Sequence, residues 1–101
     1  MVESLLEDLK GALQITWLDE DHNLRRIIKR SMAYLNELAG APLDFSKEGQ
    51  AKTLLIERCR YLYNHAADEF EVNYHHELSR LILKTAITKA GGADGTASGS
   101  V

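Results

Sequence analysis

Apolar residues fall at helical spacing along most of this chain, and a short loop marked by Gly40 and Pro42 cuts them into separate runs. That combination is the strongest constraint on the fold. Leu24, Ile27, Ile28, Ser31, Leu35 and Leu38 follow one another at three, one, three, four and three residues. They therefore line one face of an α-helix. Gly40 suits the left-handed residue that closes a helix, and Pro42 cannot continue one. The loop over 41–49 reverses the chain, with Leu43 and Phe45 as its apolar anchors. A helix dense in Leu and Tyr is predicted to follow from residue 50.

The same reading extends to both sides. Leu5, Leu6, Leu9 and Leu13 predict a first helix over 2–13, weakened in its last turn by Gly11. Ile15, Thr16, Trp17 and Leu18 form an apolar joint, with Trp17 expected to plug the space between the first two helices. Asp19, Glu20 and Asp21 favour a helix N-terminus, where unpaired N–H groups attract negative charge, so the second helix is placed from about residue 19. The third is expected over 50–65 or somewhat beyond, with Ala51, Leu54, Leu55, Arg58, Leu62 and Ala66 along one side and Cys59 and Tyr61 at its margins. A kink or turn is expected at Asp68, Glu69 and Phe70, and a fourth helix over 71–89.

The fourth helix carries Tyr74, Leu78, Leu81, Ile82 and Thr85 on its main face, with Leu83 and Ile87 on a second. A helix that is apolar on more than one side requires more than one neighbour. Self-association and a central place in the chain's own bundle both satisfy that requirement. Residues 90–101, AGGADGTASGSV, are small, polar and Gly-rich and are expected to be a flexible tail. The expected fold class is all-α: one helical domain of about four helices over 1–89, followed by the tail. Its expected core is Leu24, Ile28, Leu35, Leu38, Leu55, Leu62, Leu78 and Ile82.

Chemistry-bearing residues are sparse in useful spacings. His75 and His76 are adjacent and point about 100° apart on a helix, so they do not share a face. His65 and Asp68 have converging spacing, but no second pair of the HExxH kind accompanies them. Cys59 and His65 lie six residues apart on different sides of one helix, which does not make a nucleophile and base. The tail glycines lack the Lys-Ser/Thr and the preceding strand of a phosphate-binding loop. The expectation is a protein that is not an enzyme and that takes no metal or cofactor.

Lys+Arg 12 against Asp+Glu 15 gives a formal net charge of −3, which disfavours a dedicated nucleic-acid binder. It leaves room for a channel that DNA merely passes through. A single cysteine, Cys59, rules out an intrachain disulfide and fits a reducing compartment or a thiol-indifferent protein. An acidic opening in Glu3, Glu7 and Asp8 does not read as a signal peptide, and no apolar run approaches membrane-span length. A soluble protein made in the cytoplasm is expected.

Three runs carry a family likeness: LLEDLKGALQITWLDEDHNLRRII, AYLNELAGAPLDF and RCRYLYNHAADEFEVNYHHELSRL. Together they resemble the phage head–tail connector proteins, small adaptors also called DNA-packaging proteins in phage and prophage genomes. The likeness covers residues 5–83 or so. It rests on Ile15, Thr16 and Trp17, then Tyr34, Leu35 and Leu38, then Gly40, Leu43 and Phe45, then Arg60, Tyr61, Tyr63 and Asn64, and finally Phe70, Tyr74, Glu77 and Leu78. The tail lies outside it.

The resemblance implies an all-α subunit that sits below the portal at the capsid vertex. It implies assembly into a ring, dodecameric to match the portal, that extends the DNA channel without sequence-specific binding. The ring would serve as platform for a neck, stopper or tail-completion protein. The place implied is the virion neck, reached from the host bacterial cytoplasm. On that reading Arg25, Arg26, Arg30, Arg58, Arg60, Tyr63 and Tyr74 are candidate contacts to other copies or to partners. Arg58, close to the apolar side of its helix, is expected to pair with a carboxylate or a neighbouring chain. Two rival classes stand beside the connector. One is a small nucleic-acid-binding or regulatory protein using the basic face from Arg25 to Arg30; the other is a different virion or toxin–antitoxin-type interaction protein using the same surfaces.

Overall fold

A computed structural model describes the backbone of residues 1–94 and the side chains of residues 1–89. The described residues form five helices: α1 Val2–Leu13, α2 Asp21–Ala39, α3 Gln50–Tyr63, α4 Ala67–Asn73 and α5 His75–Asp94. The all-α expectation holds, with one more helix than the periodicity suggested. No helix among the described residues is long and apolar enough to cross a membrane.

The helix ends have local causes. At the end of α1, Gln14 turns left-handed with φ 60°, and the Ile15 N–H returns to the Lys10 carbonyl at 2.9 Å. This double-back closes the helix without a glycine. Ile15 is thereby folded into the core, whereas Trp17 is 48% and Leu18 74% exposed. Trp17 therefore does not plug the joint; Ile15 does. The second helix begins at Asp21, two residues later than expected. The Asp21 carboxylate is drawn into a largely buried ion pair with Lys10 at 2.7 Å, which ties the end of α1 to the start of α2. At the other end of α2, Gly40 adopts φ 75° and the Ala41 N–H reaches the Asn36 carbonyl, as the glycine and proline implied.

The break after α3 is displaced from its expected position. His65 takes φ 59°, and the Ala66 N–H bonds the Tyr61 carbonyl at 2.8 Å, so the chain turns at Asn64–Ala66 rather than at Asp68–Phe70. A second, milder break falls at Tyr74, where the hydrogen-bond ladder continues from Tyr74 N–H to Phe70 and from Leu78 N–H to Tyr74. The expected fourth helix over 71–89 is therefore the end of α4 joined to α5 across this kink. Of the expected tail, Ala90–Asp94 continue α5, and residues 95–101 lie outside the described residues.

Helices α1, α2 and α3 pack against one another, α4 covers α3, and α5 reaches α2 and α3. The core joins Leu5, Leu6 and Leu9 of α1 to Leu24, Ile28 and Leu35 of α2 and to Leu54, Leu55 and Cys59 of α3. Phe45 from the loop and Phe70 from α4 are fully buried in it. Of the expected core, Leu24, Ile28, Leu35, Leu55 and Leu78 are buried, and Leu38 and Leu62 are half-buried against it. Ile82 is instead 39% exposed, and Leu81 takes the buried position. The line that faces the bundle is Tyr74, Leu78, Leu81 and Thr85, and Ile82 stands one residue off it. The molecule is elongated, 54 × 27 × 18 Å.

Candidate interaction surface

The basic face of α2 is divided. Arg25 forks Glu3 of α1 through Nε at 2.8 Å and Nη2 at 3.1 Å, and this bond holds the Glu3 carboxyl below its usual range. Arg26, Lys29 and Arg30 are exposed, and none takes part in an ion pair among the described residues.

A cluster of aromatic rings occupies the junction of α2, α3, α4 and α5. Phe70 is stacked on Tyr74 at 5.0 Å and meets Tyr61 and Tyr34 edge-on at 5.7 and 6.5 Å. Tyr61 and Tyr74 meet at right angles. Offset and edge-to-face pairs of this kind are the favoured ring arrangements. Each tyrosine keeps its polar tip engaged. Tyr34 donates to Glu71 at 2.6 Å, Tyr74 donates to Glu57 at 2.9 Å, and Tyr61 accepts from Asn73 at 3.0 Å. Loss of solvent and the neighbouring carboxylate push Tyr34 and Tyr74 both up to about 12, so their hydroxyls remain donors.

Two arginines of α3 border this cluster. Arg60 Nη1 pairs with Glu57 one turn earlier, at 2.9 and 3.0 Å. Of the two partners expected for Arg58, a carboxylate is not met among the described residues. Arg58 lies on the Tyr34 ring, its guanidinium carbon 3.8 Å from the ring centre, and reaches the Ala67 carbonyl at 3.5 Å. The face of an aromatic ring attracts a cation, and α4 supplies the carbonyl. Nothing local in the sequence signals this arrangement, because Tyr34 and Phe70 lie far from Arg58 along the chain.

Tyr63 sits apart, its hydroxyl 3.4 Å from a Glu20 carboxylate oxygen. The two border an open polar cleft of about 730 Å³ that also receives Asn23, Arg30, His65 and Asp68. His65 and Asp68 thus share a cleft, although from two elements rather than one helix face. Among the described residues, no group of three or more His, Cys, Asp or Glu side chains gathers as a metal ion would need. Cys59 is fully buried, and desolvation pushes its thiol up to about 11 against the opposing effect of the Ser31 hydroxyl. His65 lies in the turn after α3 and is exposed.

Apolar exposure among the described side chains of α5 lies off the side that faces the bundle. Ile82, Leu83 and Ile87 are 39%, 62% and 62% exposed. Their helix also walls a second cleft, of about 410 Å³, against Pro42, Leu43 and Ala51. Of the candidate contact residues, Arg58 and Tyr74 gather at the aromatic junction, with Arg60 at its margin, while Arg30 and Tyr63 meet at the polar cleft. Arg25 faces α1, and Arg26 is exposed. The chain matches no protein-family model, and no curated protein or solved structure was found to be similar to it.

Proposed function

We propose that this chain is a structural subunit of a tailed-phage or prophage neck, a head–tail connector that closes into a ring between portal and tail. The observation that carries the reading is the apolar exposure of α5 at Ile82, Leu83 and Ile87. Leu83 and Ile87 stand one turn apart on the same side of α5, and apolar exposure shared by neighbouring side chains supports a surface that another surface covers. The resemblance over residues 5–83 supplies the kind of assembly.

The mechanism is mechanical rather than chemical. Each subunit presents unlike side surfaces to its two neighbours, and head-to-tail contacts of that type close into a ring when the rotation permits. Weak contacts reinforce one another once the ring holds them at high effective concentration. The ring extends the portal's channel, and DNA slides through it without sequence-specific contact. The net charge of −3 suits a lumen that does not hold DNA. A neck, stopper or tail-completion protein docks on the far side.

The test is light scattering after size exclusion, on the protein alone and then mixed with a portal protein from the same genome. A ring, or a complex with the portal, is the expected result. A monomer that ignores the portal at high concentration would remove the connector role. A second reading, a nucleic-acid-binding or regulatory protein, draws on the exposed Arg26, Lys29 and Arg30. DNA binding by the isolated chain that weakens steeply with salt would favour it.

A further inference from the structure

Trp17 and Leu18 stand together at the surface of the joint before α2, 48% and 74% exposed. Single exposed apolar residues are ordinary, but an exposed tryptophan beside an exposed leucine has the composition of an interface anchor. The chain pins the pair on both sides. Ile15 is buried just before it, and just after it the Asp21 N–H bonds the Leu18 carbonyl at 3.0 Å. Asp21 is itself held by Lys10 at 2.7 Å. A knob fixed in this way loses little freedom when it binds. Asp19 follows it directly, exposed and in no ion pair among the described residues.

A cleft that suits such a knob lies past the other end of α2. The open cleft of about 410 Å³ between the 41–49 loop and α5 has Pro42, Leu43, Ala51 and Leu81 among its walls. That volume is near the lower end of the ~300–1,000 Å³ range of ligand clefts, with room for large side chains but not for a helix. Its walls are anchored: Phe45 roots the loop in the core, and the Leu43 N–H bonds the Asn36 side chain at 2.9 Å. Lys47, Lys84 and Lys89 also line it, and none takes part in an ion pair among the described residues. Its two carboxylates are engaged, Asp44 with Ser46 and Glu48 with Lys52. The cleft thus offers apolar walls beside three cations, and the knob an apolar tip beside an anion. The exposed pair Leu83 and Ile87 does not match in this way, because Lys84 stands between them on the helix that walls the cleft itself.

We infer that the Trp17–Leu18 knob of one copy enters the cleft between α5 and the 41–49 loop of a second copy, with Asp19 facing its lysines. The inference rests on the ring reading and names one of its contacts. The 19 residues of α2 set knob and cleft roughly 28 Å apart at 1.5 Å per residue, so a chain does not fill its own cleft. A knob that meets a cleft elsewhere on the next copy makes a head-to-tail contact, which repeats from subunit to subunit and closes into a ring when the rotation permits.

The test has two arms. Trp17 is the chain's one tryptophan, so its fluorescence reports the knob alone. Emission and acrylamide quenching are followed from the dilute chain to the concentration at which light scattering shows assembly. A blue shift and loss of most of the quenching are expected. An assembled chain whose Trp17 is as quenchable as in the dilute chain overturns the inference and leaves the ring reading intact. The second arm compares variants by light scattering, alone and with a portal protein from the same genome, with circular dichroism to confirm helicity. Trp17→Ala should weaken assembly about thirtyfold. Asp19→Lys and Lys84→Glu should each weaken it about fivefold, and the two combined should restore it. Single variants that weaken assembly without mutual rescue remove the second copy's cleft as the partner. Open filaments that depend on Trp17 keep the contact and remove the ring, and a chain that stays monomeric alone and with the portal removes both.

Discussion

Leu81 and Leu83 are the same residue, two positions apart on α5, and the fold treats them in opposite ways. Leu81 is 4% exposed and belongs to the core, whereas Leu83 is 62% exposed. Truncating each to alanine therefore separates the two roles of this helix. Leu81→Ala removes buried methyl groups and leaves a partly filled cavity, a loss of about 2 kcal/mol or more. For a domain of this size that lowers Tm by roughly 8–16 °C. Leu83→Ala removes side chain that is mostly in water, and alanine is the better helix former, so the change should stay within about 0.5 kcal/mol. The assay is urea or thermal denaturation followed by circular dichroism, at a concentration where the chain is dilute. A second series under assembling conditions should reverse the order of interest: Leu83→Ala then weakens association while leaving the subunit intact. Equal destabilisation by both substitutions in the dilute series would refute the placement of Leu83 outside the bundle.

Two further expectations follow from the surface and from the carboxylate-bonded hydroxyls and the buried thiol. Tyr63→Ala and Arg60→Glu should weaken assembly more than folding, read by light scattering beside helicity; equal loss of both would make these positions part of the subunit's own framework. The Cys59 thiol is raised from 9.0 to about 11, and the Tyr34 and Tyr74 hydroxyls from 10.0 to about 12. The unfolded chain releases these protons first, so the stabilisation is complete below about pH 9 and is lost as pH rises toward 12. Stability measured across that window should fall, with tyrosinate absorbance appearing as the chain unfolds. Ionisation of Tyr34 and Tyr74 at pH 10 in a fully folded chain would contradict their environment.

Periodicity was a good guide wherever a helix buries one face against two neighbours. α1 appears over the expected residues, and α2 ends where Gly40 and Pro42 require it. The turn at Asn64–Ala66 escaped because a left-handed residue is usually signalled by glycine, and here His65 takes that role. The kink at Tyr74 left no signal because the hydrogen bonds on either side of it remain intact. Ile82 and Leu81 are both apolar neighbours on one helix, and the position of α5 against α2 and α3 decided between them. Trp17 was misplaced by its size: the buried site at the joint accepts Ile15, and the indole stays at the surface. Arg58 illustrates the limit most clearly. Its position near the apolar side was visible in sequence, but the ring from α2 on which it lies within the chain was not.

Lys89 gives α5 a second foothold far from its root. Its Nζ donates to the Gly40 carbonyl at 2.9 Å, at the carboxyl end of α2. That end carries the negative pole of the helix dipole, so the contact is a charge resting on a partial charge in open solvent. The near part of α5 is fixed by apolar burial at Leu78 and Leu81, which salt does not weaken. The far part is held by a single exposed charge-assisted hydrogen bond from Lys89. The helix thus has two anchors of different kind, apolar burial at its base and one hydrogen bond near its far end, and Leu83 and Ile87 are presented between them along the chain, on the side that neither anchor occupies.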